Sequence, residues 1–79
     1  MKIVLVEWDD TQANLHWVGI ENLDTAPMVS IGCLVYEDGR KIVLSSMFGN
    51  SGENDFNCTQ AIPKGCVKRM RTLTINSNV

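Results

Sequence analysis

Two apolar, β-branched runs dominate the middle of the chain, MVSIGCLVY at residues 28–36 and KIVLSSM at residues 41–47. Only Glu37-Asp38-Gly39-Arg40 separates them. Asp-Gly between two such runs is the strongest short-range signal for a β-hairpin, so the centre of the chain is committed to antiparallel sheet. Gly32, inside the first run, predicts a bulge or a sharp bend there.

The flanks extend the same pattern. Residues 2–8, KIVLVEW, read as a first strand, being β-branched, aromatic-ended and without a helix-capping residue at the start. The polar stretch Asp9 to Asn14 reads as a loop. His16 to Leu23 settles on neither the helical nor the strand period and is open between a short strand and an irregular turn. Pro27 disfavours helix at Ala26. Residues 49–57 read as a loop rich in Gly, Asn and acids, and residues 58–62 as a short strand stopped by Pro63-Lys64-Gly65. In the closing run CVKRMRTLTI, Val67, Met70 and Leu73 are spaced by three, which predicts a bulge or a short helical turn before the last strand. The reading is one mostly β domain over residues 1–79, a small five-stranded antiparallel barrel of the SH3-like or Sm-like kind.

Size makes such a domain marginal. A chain of 79 residues buries only about 60–65% of the surface its unfolded form exposes. Disulfides, a metal or self-association are the usual remedies. Cys33, Cys58 and Cys66 are odd in number, and the start MKIVLVEWDD has a short apolar run followed by acids rather than a secretory signal. Free thiols in a reducing cytoplasm are therefore expected. There is no C-x-x-C pair and a single histidine, His16, so no metal or cofactor is expected. Self-association is what remains, and a homo-oligomer is predicted. No apolar stretch approaches the roughly 20 residues of a membrane span, so no membrane partner is expected.

Net charge is −2, too little cation for binding duplex DNA by bulk electrostatics. The distribution is more informative. Residues 1–38 carry seven acids against Lys2, whereas Lys64, Lys68, Arg69 and Arg71 crowd a later stretch free of acids. Such a run is a solvated strand face, an anion site, or a surface matched to the acidic half of a neighbouring copy.

Catalytic constellations are not legible. His16 has no partner that would orient it as a base, and Asp9-Asp10 and Glu37-Asp38 are sequence neighbours that point to opposite strand faces. Gly49-Asn50-Ser51-Gly52 is followed by acids instead of Lys and a helix, so it is not a phosphate cradle. Asp9, Asp10 and Asn14 lack calcium-loop spacing. Among the aromatics, most belong to a core, but Trp17 beside polar His16 is the ring best placed to stack on a base, with Tyr36 second.

SIGCLVYEDGRKIVLSSM, a short loop and then IPKGCVKRMRTL resemble small proteins of tailed bacteriophages, and Glu7-Trp8-Asp9 and Trp17 are similar to the same pattern. The resemblance covers most of the chain through short motifs. It implies an Sm-like or SH3-like barrel, assembly into rings through the last two strands, and nucleotide or RNA binding at subunit boundaries. It also implies a viral anti-defence protein of the host cytoplasm, a sponge that sequesters a cyclic di- or oligonucleotide signal without catalysis. The ligand-binding residues expected are Trp17, Tyr36, Lys64, Lys68, Arg69 and Arg71. Alternatives are a protein–protein inhibitor or adaptor acting on a host defence enzyme, and an Sm-like RNA-binding protein.

Overall fold

The computed structural model describes residues 2–11, 17–49 and 55–74. Five strands account for most of them: β1 Lys2–Asp10, β2 Ala26–Glu37, β3 Lys41–Phe48, β4 Phe56–Pro63 and β5 Val67–Leu73. All neighbours are antiparallel, in the order β4-β3-β2-β1-β5. Two 3₁₀ turns, Ile20–Asn22 and Lys64–Cys66, are the only helical pieces among the described residues. The mostly β, five-stranded antiparallel reading therefore holds. No ladder joins β4 to β5 among the described residues, so what is seen is a sheet with an open seam.

That sheet bends over its own inner face. Val4, Val6 and Trp8 alternate along β1 and are buried with Ile42 and Leu44 of β3 and Ile62 of β4. A flat layer exposes both faces, so full burial of Val6 and Ile62 requires β4 to come round opposite β1. A polar chain fixes the bend. The Trp8 indole N–H donates to Ser30 Oγ at 2.9 Å, and Ser30 donates to Gln60 Oε1 at 2.8 Å, joining β1, β2 and the non-adjacent β4. Cys66, ending the second 3₁₀ turn, and Val67 just after it pack on the same cluster.

Two irregularities make the curvature possible. β2 pairs with β1 along most of its length but with β3 only from Cys33 to Glu37, and the ladder slips between Leu34 and Tyr36. The bend predicted at Gly32 falls where β2 leaves β3. Gly32 is buried, and an added Cβ there would lie 3.2 Å from the Ser45 carbonyl oxygen. The second irregularity is in the β1–β5 ladder, which shifts between Glu7 and Trp8 so that Glu7 faces Arg69 and Trp8 faces Val67. Lys68 is the extra residue. Of the two alternatives expected before the last strand, the 3₁₀ turn Lys64–Cys66 stands there, and a bulge lies within the strand as well.

The hairpin forms where expected, with Asp38 as its organiser. Asp38 Oδ1 accepts the amides of Arg40 at 2.7 Å and Lys41 at 2.9 Å, closing a side-chain turn. Gly39 is not in the left-handed region. Residues 17–23 resolve as an irregular segment ending in a 3₁₀ turn, and His16 lies outside the described residues. Most of the rejected Gly49–Gly52 loop and Asn14 lie outside them as well. Among the described residues, no helix is long and apolar enough to cross a membrane.

Candidate functional site

The six residues expected to bind ligand occupy four different elements. Trp17 lies in the connection between β1 and β2, and its side chain is fully exposed, as Ile20 nearly is at 83%. Local hydrogen bonds shape this connection without anchoring those side chains. Asp10 Oδ1 accepts the Thr11 amide at 2.8 Å, Asp24 Oδ1 accepts the Thr25 amide at 2.7 Å, and the Leu23 amide donates to the Ile20 carbonyl.

Tyr36 belongs to the hairpin. Its hydroxyl donates to Asp38 Oδ2 at 3.0 Å, and the Lys41 ammonium lies 5.4 Å from its ring centroid. Sharing its proton with the Asp38 carboxylate pushes the Tyr36 phenol above its ordinary range. The same carboxylate is held down to about 2, first by the Arg40 amide, then by the Lys41 amide and the Tyr36 hydroxyl. Beside this cluster, Lys64 Nζ stands 3.0 Å from Glu37 Oε2.

Lys68, Arg69 and Arg71 lie on β5 against β1. Arg69 makes a forked contact with Glu7, Nε to Oε2 at 2.7 Å and Nη2 to Oε1 at 3.2 Å. That hydrogen bond draws the Glu7 carboxyl below its usual range and raises the Arg69 guanidinium. Lys68 Nζ is 3.2 Å from Asp9 Oδ1, the oxygen that has no hydrogen bond of its own in good geometry. Arg71 sits across from Leu5 and, among the described residues, enters no ion pair.

The segregated charge of the sequence is thus largely an intrachain match. β5 returns antiparallel beside β1, so Arg69 meets Glu7 and Lys68 meets Asp9. Sequence reasoning weighed a solvated strand face, an anion site and a match to a neighbouring copy, and not a match within the chain. The signal it could have used is the β1–β5 pairing itself, which an acidic first strand and a basic last strand together suggest. It also left out Arg40 and Lys41, which line a shallow hollow of about 240 Å³ with Ala61 and Pro63. A second hollow, about 300 Å³, opens between Glu7, Trp8 and Lys68 on one side and Pro27, Met28 and Val29 on the other.

The three cysteines are free thiols on β2, on β4 and in the second 3₁₀ turn, and only Cys58 is exposed. Among the described residues, no three His, Cys, Asp or Glu side chains converge as metal ligands would. These surfaces present an exposed indole and cations whose acidic partners are themselves at least partly solvent-exposed. A scan of protein-family models, a search of curated proteins and a search of solved structures each return no match to the chain.

Proposed function

We propose that the chain is a non-catalytic capture protein that holds a small anionic nucleotide, of the cyclic di- or oligonucleotide class, at boundaries between copies of itself. The observation that carries this reading is that two groups of the right chemistry, on different elements, are left unused. Trp17 presents its whole ring to solvent, and Arg71 is the one cation of the basic run without a counter-ion among the described residues. Stacking one base on such a ring contributes about 1–3 kcal/mol. An unpaired guanidinium matches a phosphate bidentately without first losing another partner.

Lys64, Lys68 and Arg69 enter on different terms. Their ion pairs are solvent-exposed, and such pairs are typically worth only about 0–1 kcal/mol. A phosphate can displace Glu37, Asp9 or Glu7 at little cost, although Glu7 remains nearby and opposes it. Tyr36, already bonded to Asp38, is a second stacking surface beside Lys41. In this reading the protein acts in the cytoplasm of an infected bacterium and removes a defence signal by binding it.

The test is calorimetric titration with a panel of cyclic nucleotides, paired with native mass spectrometry of freshly purified protein. Replacing Arg69 and Arg71 together by Ala abolishes tight binding, while Glu7→Gln raises affinity. Unchanged affinity in the double variant refutes the site, and no binding to any member of the panel refutes the function.

A second reading, direct inhibition of a host protein, is favoured by exposed apolar side chains such as Ile20, Met47 and Phe48, each close to half exposed or more. It predicts recovery of one stoichiometric partner from host lysate. Titration with single-stranded RNA tests the Sm-like RNA-binding alternative in the same way.

A further inference from the structure

The outer face of the sheet carries an apolar surface that the single chain leaves uncovered. The register places Leu73, Ile3 and Cys33 in one row across β5, β1 and β2. The next rows on that face are Arg71, Leu5, Ile31 and then Arg69, Glu7, Val29. Ile31 and Val29 are 60% and 62% exposed, although both lie in the middle of a twelve-residue strand. The four apolar neighbours are only half-buried. A sheet with an apolar outer face is stable when a second layer covers it, and nothing in the described chain does so.

We infer that this face packs against the same face of a second copy, making a two-fold dimer in which the β5-β1-β2 sheets form two layers. The rim argues for a copy of this chain as the occupant. Around the apolar centre stand Glu7 and Asp9 together with Lys68, Arg69 and Arg71. Both signs are present on one edge, so a copy turned about a two-fold axis meets charges it can complement, which an isologous interface requires. A partner with a strongly acidic or basic surface would leave half of this rim opposed. An apolar patch bordered on one side by charges of both signs has elements of the apolar centre and polar rim of specific interfaces.

Area sets the expected strength. Three strands about 4.8 Å apart and five residues at about 3.4 Å each, with side-chain margins, cover roughly 400–500 Å² per copy. That is below the roughly 600 Å² per partner that separates weak from standard interfaces, so the dimer belongs with the weak, reversible ones. Arg71, at the edge of this face, then lies at the boundary between copies. The inference deepens the self-association part of the proposed function and is independent of its ligand.

Sedimentation of ligand-free protein from roughly 1 to 200 µM tests it, alongside the thermal midpoint over the same range, since a dimer makes the midpoint rise with concentration. The mass is expected to move from one copy to two. Ile31→Glu, which alters both halves of a symmetric interface, raises the dissociation constant about a hundredfold or more. Val29→Lys, on a side chain with little burial to lose, does the same and guards against a folding defect in the first variant. Ile20→Glu, outside the face, leaves the dimer unchanged. A wild-type monomer throughout the range overturns the inference, and so does an assembly that survives both face variants. An intact dimer that binds no nucleotide overturns the ligand reading alone.

Discussion

Two glycines provide a test in which one substitution has opposite signs. Gly32 is buried opposite Val4, where β2 passes over β3. A Cβ built there meets the Ser45 carbonyl oxygen at 3.2 Å and Leu44 Cβ at 3.3 Å, so β3 must retreat by a few tenths of an ångström. It has little freedom to do so. Leu44 is in the core, and the buried Ser45 hydroxyl lies 2.8 Å from both the Met47 and Asn57 carbonyls. Overpacking of this kind costs about 1–3 kcal/mol. Removing a glycine from the unfolded chain returns about 0.4–1 kcal/mol. Gly32→Ala is therefore expected to destabilise, by about 1.3 kcal/mol at mid-range and at most about 2.6 kcal/mol, the mid-range value lowering Tm by roughly 5–10 °C for a domain of this size.

Gly39 differs in both respects. No atom lies within 4 Å of an added Cβ, and the backbone is outside the left-handed region. Only the unfolded-state effect remains, so Gly39→Ala is expected to stabilise by about 0.4–1 kcal/mol. Urea unfolding at fixed m-value reads both. Gly32→Ala more stable than the parent, or Gly39→Ala less stable by more than about 1 kcal/mol, refutes the account of how the sheet bends.

Three further expectations rest on other residues. The Asp38 carboxyl is held at about 2 against an ordinary 3.8, so its contribution to stability is complete above about pH 4 and is lost as pH falls through 2. Asp38→Asn should flatten the acid limb of Tm against pH in that window; an unchanged limb would show that other carboxylates govern it. Cys58 is the one non-glycine residue with a positive φ, 51°, among the described residues. Cys58→Val should lose about 1 kcal/mol or more while Cys58→Gly stays neutral or gains, and a valine variant as stable as the glycine one would contradict the strain. Ser45→Ala leaves a carbonyl of the β3–β4 ladder without its donor and should cost about 1–2 kcal/mol in urea unfolding, with no loss arguing that water replaces the hydroxyl.

The strands were legible because their signals are local. β-branched runs interrupted by Pro, Gly and Asp mark elements whatever lies beside them, and the spacing of Val67, Met70 and Leu73 already implied a bulge or a short helical turn before the last strand. The bulge falls at Lys68, within the strand: it lets Val67 and Met70 both follow the inward Trp8 and Val6, while Leu73 joins outward Ile3. The turn was legible for a different reason from the one expected, since Asp38 closes it with its carboxylate and Gly39 uses none of its conformational freedom. Gly32 was legible as a bend, but the cause, the approach of the Ser45 carbonyl, is a contact between strands.

Charge was the hardest feature to read, because its meaning depends on which strands become neighbours. Lys68, Arg69 and Asp9, Glu7 are some sixty residues apart, and no local pattern says that β5 returns beside β1. Once it does, Lys68 and Arg69 have partners on β1, Lys64 pairs separately with Glu37, and among the described residues Arg71 is the one cation of the run without a counter-ion. This reorders the candidate residues without removing any. Exposed pairs contribute little to stability, so Lys64, Lys68 and Arg69 stay exchangeable toward a phosphate, whereas Arg71 needs no exchange. Single Ala variants should accordingly rank in anion affinity with Arg71 costing most. If Arg69→Ala costs more than Arg71→Ala, its fork releases Glu7 for the ligand, and the intrachain pair is a resting state rather than a fixed part of the sheet.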